Sequence, residues 1–174
     1  MRKVIAYLAI SADGFIARRN GAVDWLERPR AAGDYGMGKF YRSIDTVLMG
    51  RKTWAMARRL GQPAYPGKMN YVFSRSPRRS PDPRITFVRL SVRAFLQGLR
   101  SQPGKHIWLV GGAQLFAAVL DAGQLDELIV HVVPCLIGKG IPLFASRHRD
   151  VALRLKGSRT FSDGVVRLHY AVPR

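Results

Sequence analysis

Cysteine, acidic residues and long apolar runs are all scarce in this sequence. Its one cysteine, Cys135, excludes an intrachain disulfide. No apolar run reaches the roughly 18 residues that a membrane-spanning helix requires. The apolar stretch after Lys3 contains Tyr7 and has no small-residue cleavage site before Asp13, which favours a buried first strand over a signal peptide. These absences and the length of 174 residues favour a cytoplasmic protein with a single domain over residues 1–174.

The shortage of acidic residues leaves a strongly basic chain. There are 29 Lys and Arg residues against 11 Asp and Glu, and the formal net charge of +18 attracts polyanions. The basic residues are spread along the chain, however, and the tightest clusters, at 58–59 and 75–84, are short. No helix-turn-helix pattern, zinc-finger spacing or aromatic–basic stretch accompanies them. A basic solvated surface is therefore favoured, and a non-catalytic nucleic-acid-binding protein stays the alternative from another class.

Several catalytic motifs are also missing. There is no Gly-x-Gly-x-x-Gly fingerprint and no Gly-x-Ser-x-Gly elbow, and the glycines of 61–69 are wrongly spaced for a P-loop. No metal is expected, because metal-ligand spacing is absent among the four histidines, His106, His131, His148 and His169. We expect His106 and His131 to pack at strand edges and Cys135 to act as a small buried hydrophobe. Hydride transfer from a nicotinamide fits these absences, since it needs chiefly positioning and at most one proton donor.

What the sequence does contain is a regular alternation of apolar runs and amphipathic stretches. Apolar or alternating segments predict strands at 4–10, 46–49, 71–73, 85–88, 106–110, 128–133 and 166–170. Helical spacing predicts helices that begin near residue 51, run over 92–99 behind an N-cap at Ser91, and cover 113–120. The alternation indicates an α/β architecture with a largely parallel sheet, to which the last strands are added antiparallel.

Three of the predicted strands end in residues suited to anions. These exits read Gly-Arg-Lys-Thr at 50–53, Ser-Arg at 74–75 and Gly-Gly-Ala-Gln at 111–114. Glycine allows close backbone approach, helix N-termini present free N–H groups, and arginine and lysine supply charge. Because the carboxyl ends of strands in open α/β sheets converge on one crevice, the three exits predict a ligand with several phosphates.

The chain resembles the dihydrofolate reductase superfamily in several segments that occur in the family's order. The segments are 11–17 (Ser-Ala-Asp-Gly-Phe-Ile-Ala), 45–54, 110–115, 126–134 and 138–144. The resemblance is closest to the branch of stand-alone proteins related to the reductase domain of the riboflavin-biosynthesis deaminase-reductase. It implies a mixed, mainly parallel sheet flanked by helices on both faces, NADPH as cofactor, and a homodimer.

The resemblance also assigns roles to individual residues. It implies that residues 50–53 bind the pyrophosphate and the adenosine side of NADPH and that residues 74–75 contact its 2′-phosphate. It also implies that residues 111–115 cover the pyrophosphate from the other side. The two residues implied against the nicotinamide are Ala9 and Ile16. The full set of implied cofactor-binding residues beside these two is Gly50, Arg51, Lys52, Thr53, Ser74, Arg75, Gly111, Gly112, Ala113, Gln114 and Leu115.

The substrate side follows the family pattern less closely. Asp34 falls where dihydrofolate reductases keep an acidic substrate-binding residue, and its carboxyl group is the candidate catalytic acid. An exposed capping role for Asp34 is the alternative. Asp24 and Trp25 are the candidate substrate-pocket residues, although Trp25 fits a core position equally well, and Asp13 fits a turn beside Gly14.

The sequence therefore predicts an NADPH-dependent oxidoreductase that reduces a pterin-like or pyrimidine-ribose compound. Its type is that of dihydrofolate reductase or 5-amino-6-(5-phosphoribosylamino)uracil reductase. The Pro-Trp-x-Leu-Pro segment of dihydrofolate reductases is replaced by Asp-Trp-Leu-Glu-Arg-Pro at 24–29. A genuine dihydrofolate reductase with a divergent substrate loop is therefore the alternative within the same class.

Overall fold

Alternating strands and helices form one eight-stranded sheet with a small two-stranded sheet beside it. The computed structural model describes residues 1–29, 33–76, 80, 82–144 and 150–173. The strands are β1 (Val4–Ser11), β2 (Phe15–Ala17), β3 (Ile44–Gly50), β4 (Met69–Phe73), β5 (Ile85–Val88), β6 (His106–Gly111), β7 (Glu127–Val133), β8 (Ile141–Pro142), β9 (Arg154–Thr160) and β10 (Val166–Ala171). The helices are α1 (Met37–Ser43), α2 (Arg51–Arg59), α3 (Val92–Arg100) and α4 (Ala113–Asp121), with a 3₁₀ turn at Asp24–Leu26.

The large sheet has the strand order β5-β4-β3-β6-β1-β7-β10-β9. The six strands from β5 to β7 run parallel to their neighbours, whereas β10 is antiparallel to both β7 and β9. This arrangement confirms the predicted mixed, mainly parallel sheet. The edge strand β9 was not predicted, because its residues are all exposed and carry no apolar pattern.

Helices cover both faces of the sheet, as expected. On one face, Phe40 of α1 and Trp54 of α2 pack against apolar side chains of β1, β3 and β6. On the other face, Leu96 of α3 and Phe116 of α4 pack in a second cluster with residues of β1, β6 and β7. The parallel strands are therefore buried on both sides, which explains their continuous apolar sequences.

Polar side chains tie the chain together at the end of the sheet where the parallel strands begin. The buried guanidinium of Arg2 contacts Asp45 and donates to Thr46 Oγ1 at 2.7 Å. Arg100 pairs with Asp126 at 2.6 Å, close to the first residues of β7. The exits predicted to bind anions lie at the opposite end, so these ion pairs are separate from the candidate site.

Among the described residues, no helix has both the length and the apolar character needed to cross a membrane.

Candidate functional site

The three anion-suited exits belong to three neighbouring parallel strands, β4, β3 and β6. After β3 the chain passes through α2 to β4 on one side, whereas after β6 it passes through α4 to β7 on the other side. The two helices also pack on opposite faces of the sheet. The boundary between β3 and β6 is therefore the point where the crossover direction reverses, and ligands of open α/β sheets bind at such a point.

Glycines bring the backbones of the β3 and β6 exits close together. A Cβ atom built on Gly50 would lie 3.7 Å from Gly112 N, and one built on Gly112 would lie 3.0 Å from Thr53 Oγ1. The peptide bond between Gly111 and Gly112 is cis, and Gly111 has a φ of +124°, which side-chain-bearing residues rarely adopt. A side chain at position 112 would therefore press on the Thr53 hydroxyl, whereas a Cβ at position 50 would only reach ordinary van der Waals contact.

The N-termini of α2 and α4 have no side-chain caps. Gly50 and Gly112 are their N-cap residues, whereas the N-terminus of α3 is capped by Ser91, whose Oγ accepts from Ala94 N. The first N–H groups of a helix lack intrahelical partners and attract anions. Arg51 and Lys52 are exposed beside them, and Thr53 is half-buried. The two exits together can bind a ligand with more than one anionic group.

The β4 exit adds a cation next to this pair. Ser74 is buried, and its hydroxyl donates to Ser76 O at 3.0 Å, so it holds the turn that follows β4. Arg75 is exposed at the same edge of the sheet as Gly50. A guanidinium one strand away from the helix starts is suited to a further phosphate group.

The two residues expected against a nicotinamide lie at this end of the sheet but in different clusters. Ala9 of β1 is half-buried and packs near Trp25. Ile16 of β2 packs against the cluster that includes α3 and α4. One nicotinamide ring can therefore contact both Ala9 and Ile16 only if it lies across the ends of the strands.

Asp34 lies before α1 rather than within it. Its Oδ1 accepts a hydrogen bond from Gly36 N at 2.8 Å and its Oδ2 accepts one from Gly38 N at 2.6 Å, so the exposed carboxylate caps the helix. These N–H groups of Gly38 and Gly36 hold the pKa of Asp34 below its usual value. The observed geometry matches the capping alternative, and the role of Asp34 as an acid stays a prediction.

The two candidate substrate-pocket residues differ in exposure. Asp24 is exposed and pairs with Arg18 at 2.7 Å. Trp25 is buried in a cluster with Val133 and Val165, and its Nε1 has no hydrogen-bond partner among the described residues. Trp25 therefore occupies a core position. In the described part of the chain, its indole Nε1–H has no acceptor.

Asp13 does more than form a turn, because it joins the loop after β1 to the loop after β7. Its carboxylate accepts from Ser11 Oγ, from Gly138 N at 2.7 Å and from Ile137 N at 3.1 Å. The hydrogen bond from Ser11 is the largest cause of a pKa lower than usual for Asp13. This side chain thus fixes the segment at 138–144 that carries part of the family resemblance.

Two expectations about titratable residues need correction. His131 does not lie at a strand edge, since it is buried in the middle of the sheet on β7, with 6 % of its surface exposed. Cys135 is half-buried rather than buried. His148 and part of the basic segment 75–84 lie outside the described residues. In the described ranges, no three His, Cys, Asp or Glu side chains converge as a metal-ligand set.

Sequence reasoning missed a buried polar group beside Ala9. Tyr7 Oη donates to Tyr35 O at 3.0 Å and lies 3.4 Å from His131 Nε2. Burial raises the pKa of Tyr7 to about 12, with a smaller opposing effect from Arg167, and burial lowers the pKa of His131. The available signal was the presence of Tyr7 and His131 within strands that are otherwise almost wholly apolar.

Comparison with protein families identifies the family of this chain. Residues 2–167 match the family model described as the RibD C-terminal domain. Two proteins of Bacillus subtilis (strain 168), both named as uncharacterized, are similar over nearly their whole length. YwjB is 40 % identical over 171 residues, covering 97 % of each chain. YyaP is 34 % identical over 182 residues, covering 97 % of this chain and 94 % of its own.

Solved structures share the fold at lower sequence identity. A protein from Shewanella sp. PV-4, provisionally named a riboflavin biosynthesis protein, has a TM-score of 0.89 and 23 % identity, with 99 % of each chain covered. The diaminohydroxyphosphoribosylaminopyrimidine deaminase/5-amino-6-(5-phosphoribosylamino)uracil reductase of Thermotoga maritima has a TM-score of 0.76 and 18 % identity. The match covers 99 % of this chain but 57 % of the Thermotoga protein, so this chain corresponds to one part of that protein.

Proposed function

The chain belongs to the family of RibD C-terminal domains, and from this premise we propose that it is an NADPH-dependent reductase. We further propose that its substrate is a pterin-like or pyrimidine-ribose compound of the kind found in riboflavin biosynthesis. The family supports an oxidoreductase related to that pathway. The choice of cofactor and substrate is our proposal.

The observation that carries the proposal is the meeting of two uncapped helix N-termini at the reversal point between β3 and β6. A dinucleotide brings a pyrophosphate, which two helix starts with free N–H groups can bind from both sides. The close approach of Gly50 and Gly112 leaves backbone, rather than side chains, at this position. The residues present therefore fit the phosphate part of a dinucleotide.

In the proposed complex, each of the three strand exits binds a different part of the cofactor. The N–H groups after Gly50 and Gly112 bind the pyrophosphate, and Thr53 adds a hydroxyl between the two exits. Arg75 binds the 2′-phosphate that distinguishes NADPH from NADH, because a guanidinium can bind a phosphate through two hydrogen bonds. Ala9, whose side chain is small, leaves room for the nicotinamide at the end of β1. The cofactor supplies the hydride, so the chain's own work is to orient both partners and to supply a proton.

Calorimetric titration with NADPH and with NADH tests the cofactor assignment. We expect micromolar NADPH binding and at least about tenfold weaker NADH binding, which corresponds to roughly 1.4 kcal/mol. Arg75→Ala should remove most of this preference, and the Arg51→Ala, Arg75→Ala double variant should abolish NADPH binding. Arg93→Ala is the matched control, since Arg93 is an exposed arginine on α3, away from the three exits. Equal affinity of the double variant and the control would exclude the proposed site.

Oxidation of NADPH at 340 nm separates the two substrate hypotheses. A genuine dihydrofolate reductase would consume NADPH with dihydrofolate, whereas a riboflavin-type reductase would do so with the deaminated phosphoribosylaminopyrimidine. Turnover of dihydrofolate at a rate typical of enzymes, without turnover of the pyrimidine, would favour a genuine dihydrofolate reductase over a riboflavin-type reductase.

A further inference from the structure

A row of side chains crosses four strands beside the proposed nicotinamide position. Ala9 of β1 pairs in register with His131 of β7. His131 pairs on its other side with Arg167 of β10, and Arg167 pairs with Arg159 of β9. Paired residues of neighbouring strands point to the same face of the sheet. The imidazole of His131 is therefore the first polar group next to Ala9 in this row.

Tyr7 joins this row although its backbone lies two residues before Ala9. Its ring stacks on Phe40 with centroids 4.4 Å apart and lies 4.9 Å from the ring of His131. Its hydroxyl reaches the level of His131, where it lies 3.4 Å from Nε2. Since Tyr7 Oη donates its hydrogen to Tyr35 O, the contact with His131 requires Nε2 to be the donor. With this hydrogen-bond direction, a neutral imidazole carries its proton on Nε2.

The acceptor of the Tyr7 hydroxyl is held in an unusual backbone conformation. Tyr35 has a φ of +56°, which is uncommon for a bulky residue. Its own hydroxyl donates to Asp163, and its ring packs edge-on against Phe161 at 4.9 Å. Such backbone outliers persist where surrounding contacts hold them, and they are frequent at functional sites.

Charge completes the surroundings of Tyr7 and His131. Arg167 extends towards the loop before α1, where a Cβ atom on Gly36 would lie 3.1 Å from its Nη1. Burial is the main cause of the raised pKa of Tyr7; the positive charge of Arg167 partly offsets it, and the carboxylate of Asp34 adds to it. Burial is also the main cause of the lowered pKa of His131, to which Arg167 contributes. A guanidinium near a phenol stabilises the phenolate that proton donation leaves behind.

We propose that Tyr7 is the proton donor of the reductase site and that two positioning residues assist it: His131 contacts its hydroxyl and returns the proton, and the charge of Arg167 stabilises the phenolate. This assignment rests on the proposed reductase function. NADPH supplies the hydride, which forms a new C–H bond at a C=N or C=O carbon of the substrate and leaves NADP⁺. The Tyr7 Oη–H bond breaks, and its proton goes to the nitrogen or oxygen that received the electron pair. The Tyr7 phenolate then regains a proton through His131 from solvent.

The acid strengths favour this direction of proton transfer. The nitrogen or oxygen anion that hydride addition produces is a stronger base than a phenolate, so Tyr7 can protonate it even with a raised pKa. The substrate atom takes the place of Tyr35 O as the hydrogen-bond partner of the Tyr7 hydroxyl. Asp34, by contrast, accepts from two backbone N–H groups that hold its pKa below the usual value, which favours the ionised carboxylate over a proton donor.

Proton NMR of the histidines tests the location without any turnover. The His131→Gln variant assigns the ring signals of His131. NADPH should shift these signals and leave those of His106 and His169 unchanged. Adenosine 2′,5′-bisphosphate lacks the nicotinamide, so it should bind without moving the His131 signals. If both ligands bind and neither moves His131, the assignment is wrong while the cofactor site stands. If neither ligand binds, the proposed function itself fails, and this inference fails with it.

Turnover of the two substrates named above tests the chemical role. Tyr7→Phe keeps the stack on Phe40 and should lower kcat about 100-fold, with the KM for NADPH changed less than twofold. Tyr41→Phe is the matched control, because it removes a tyrosine hydroxyl that lies outside this row and donates to Pro66 O. Equal kcat in the two variants would overturn the role of Tyr7. If the wild-type protein reduces neither substrate, the proposed substrate class fails, and the proton-donor role of Tyr7 fails with it.

Discussion

Glu127 shows how single residues stabilise the end of the sheet where the parallel strands begin. Burial raises the pKa of this carboxylate, but hydrogen bonds from Lys156, Lys3 and His169 outweigh that effect and lower the pKa to about 2. The distances are 2.8 Å for each of the three partners. One buried carboxylate thus joins β7, β9 and β10 to the residue that precedes β1, far from the three exits.

Glu127→Gln should lower the free energy of unfolding by about 2 kcal/mol at pH 7. The folded pKa lies below the ordinary value of 4.5, so the carboxylate stabilises the protein above pH 4.5 and loses its effect as the pH falls towards 2. Urea unfolding at pH 7 and at pH 3 measures this difference, which should shrink at the lower pH. Glu27→Gln alters an exposed glutamate and serves as control. A constant difference at both pH values would contradict the assignment.

Asp34 is the residue for which the sequence left two roles open. Asp34→Asn retains only one of the two oxygens that accept from the backbone, whereas Asp34→Ala removes both and with them the cap of α1. We expect Asn to retain most of the activity with a small loss of thermal stability, and Ala to lower the melting temperature further. Thermal unfolding and NADPH oxidation measure the two effects. Loss of turnover in Asp34→Asn with normal stability would instead identify Asp34 as the acid.

At the scale of elements, the candidate site depends on how two helices begin. Sequence reasoning located the starts of α2 and α4 because glycine follows an apolar strand in both cases. It also predicted the N-cap of α3 at Ser91, which the structure confirms. The sequence could not predict that Gly50 and Gly112 lie close together, because their proximity depends on the order of strands in the sheet.

Gly112→Ala should weaken NADPH binding at least about tenfold while the protein stays folded. The added Cβ would lie 3.0 Å from Thr53 Oγ1, so this hydroxyl, which lies between the two exits, must move by a few tenths of an ångström. Gly98→Ala is the control: no atom lies within 4 Å of its added Cβ, and alanine should stabilise α3 by up to about 1 kcal/mol. Calorimetry and urea unfolding give both quantities. Unchanged affinity in Gly112→Ala would argue against the proposed pyrophosphate position.

At the scale of the whole molecule, the last two strands form the least covered part of the sheet. Every residue of β9 is exposed, and Leu153 and Leu155 are 40 % and 55 % exposed. Arginine and lysine on an edge strand discourage edge-to-edge pairing, so contact through a sheet face is favoured. The homodimer, the cytoplasmic location and the absence of specific nucleic-acid binding all stay predictions.

Sedimentation velocity should show a dimer at micromolar concentration, and Leu155→Glu should shift the protein towards the monomer. A charge in place of an exposed leucine raises the cost of burying this surface between two copies. Leu90→Glu changes a leucine that is 64 % exposed, after the opposite edge strand β5, and is the control. A wild-type protein that sediments only as a monomer would reject the homodimer.

The sequence by itself determined the α/β class, most of the strands and helices, and the three exits that suit anions. Apolar periodicity, glycine positions and N-caps are local features, and they act over a few residues. These features also carried the family resemblance, because the family's motifs lie at the same strand ends.

Only the tertiary structure decided which of these residues act together. The strand order makes β4, β3 and β6 neighbours, and the register places Ala9, His131 and Arg167 in one row. It also left Asp34 outside α1 and formed β9 from a segment without apolar pattern. These outcomes depend on contacts between segments far apart in the chain, and the free energy of packing that selects them is not written in any short stretch of sequence.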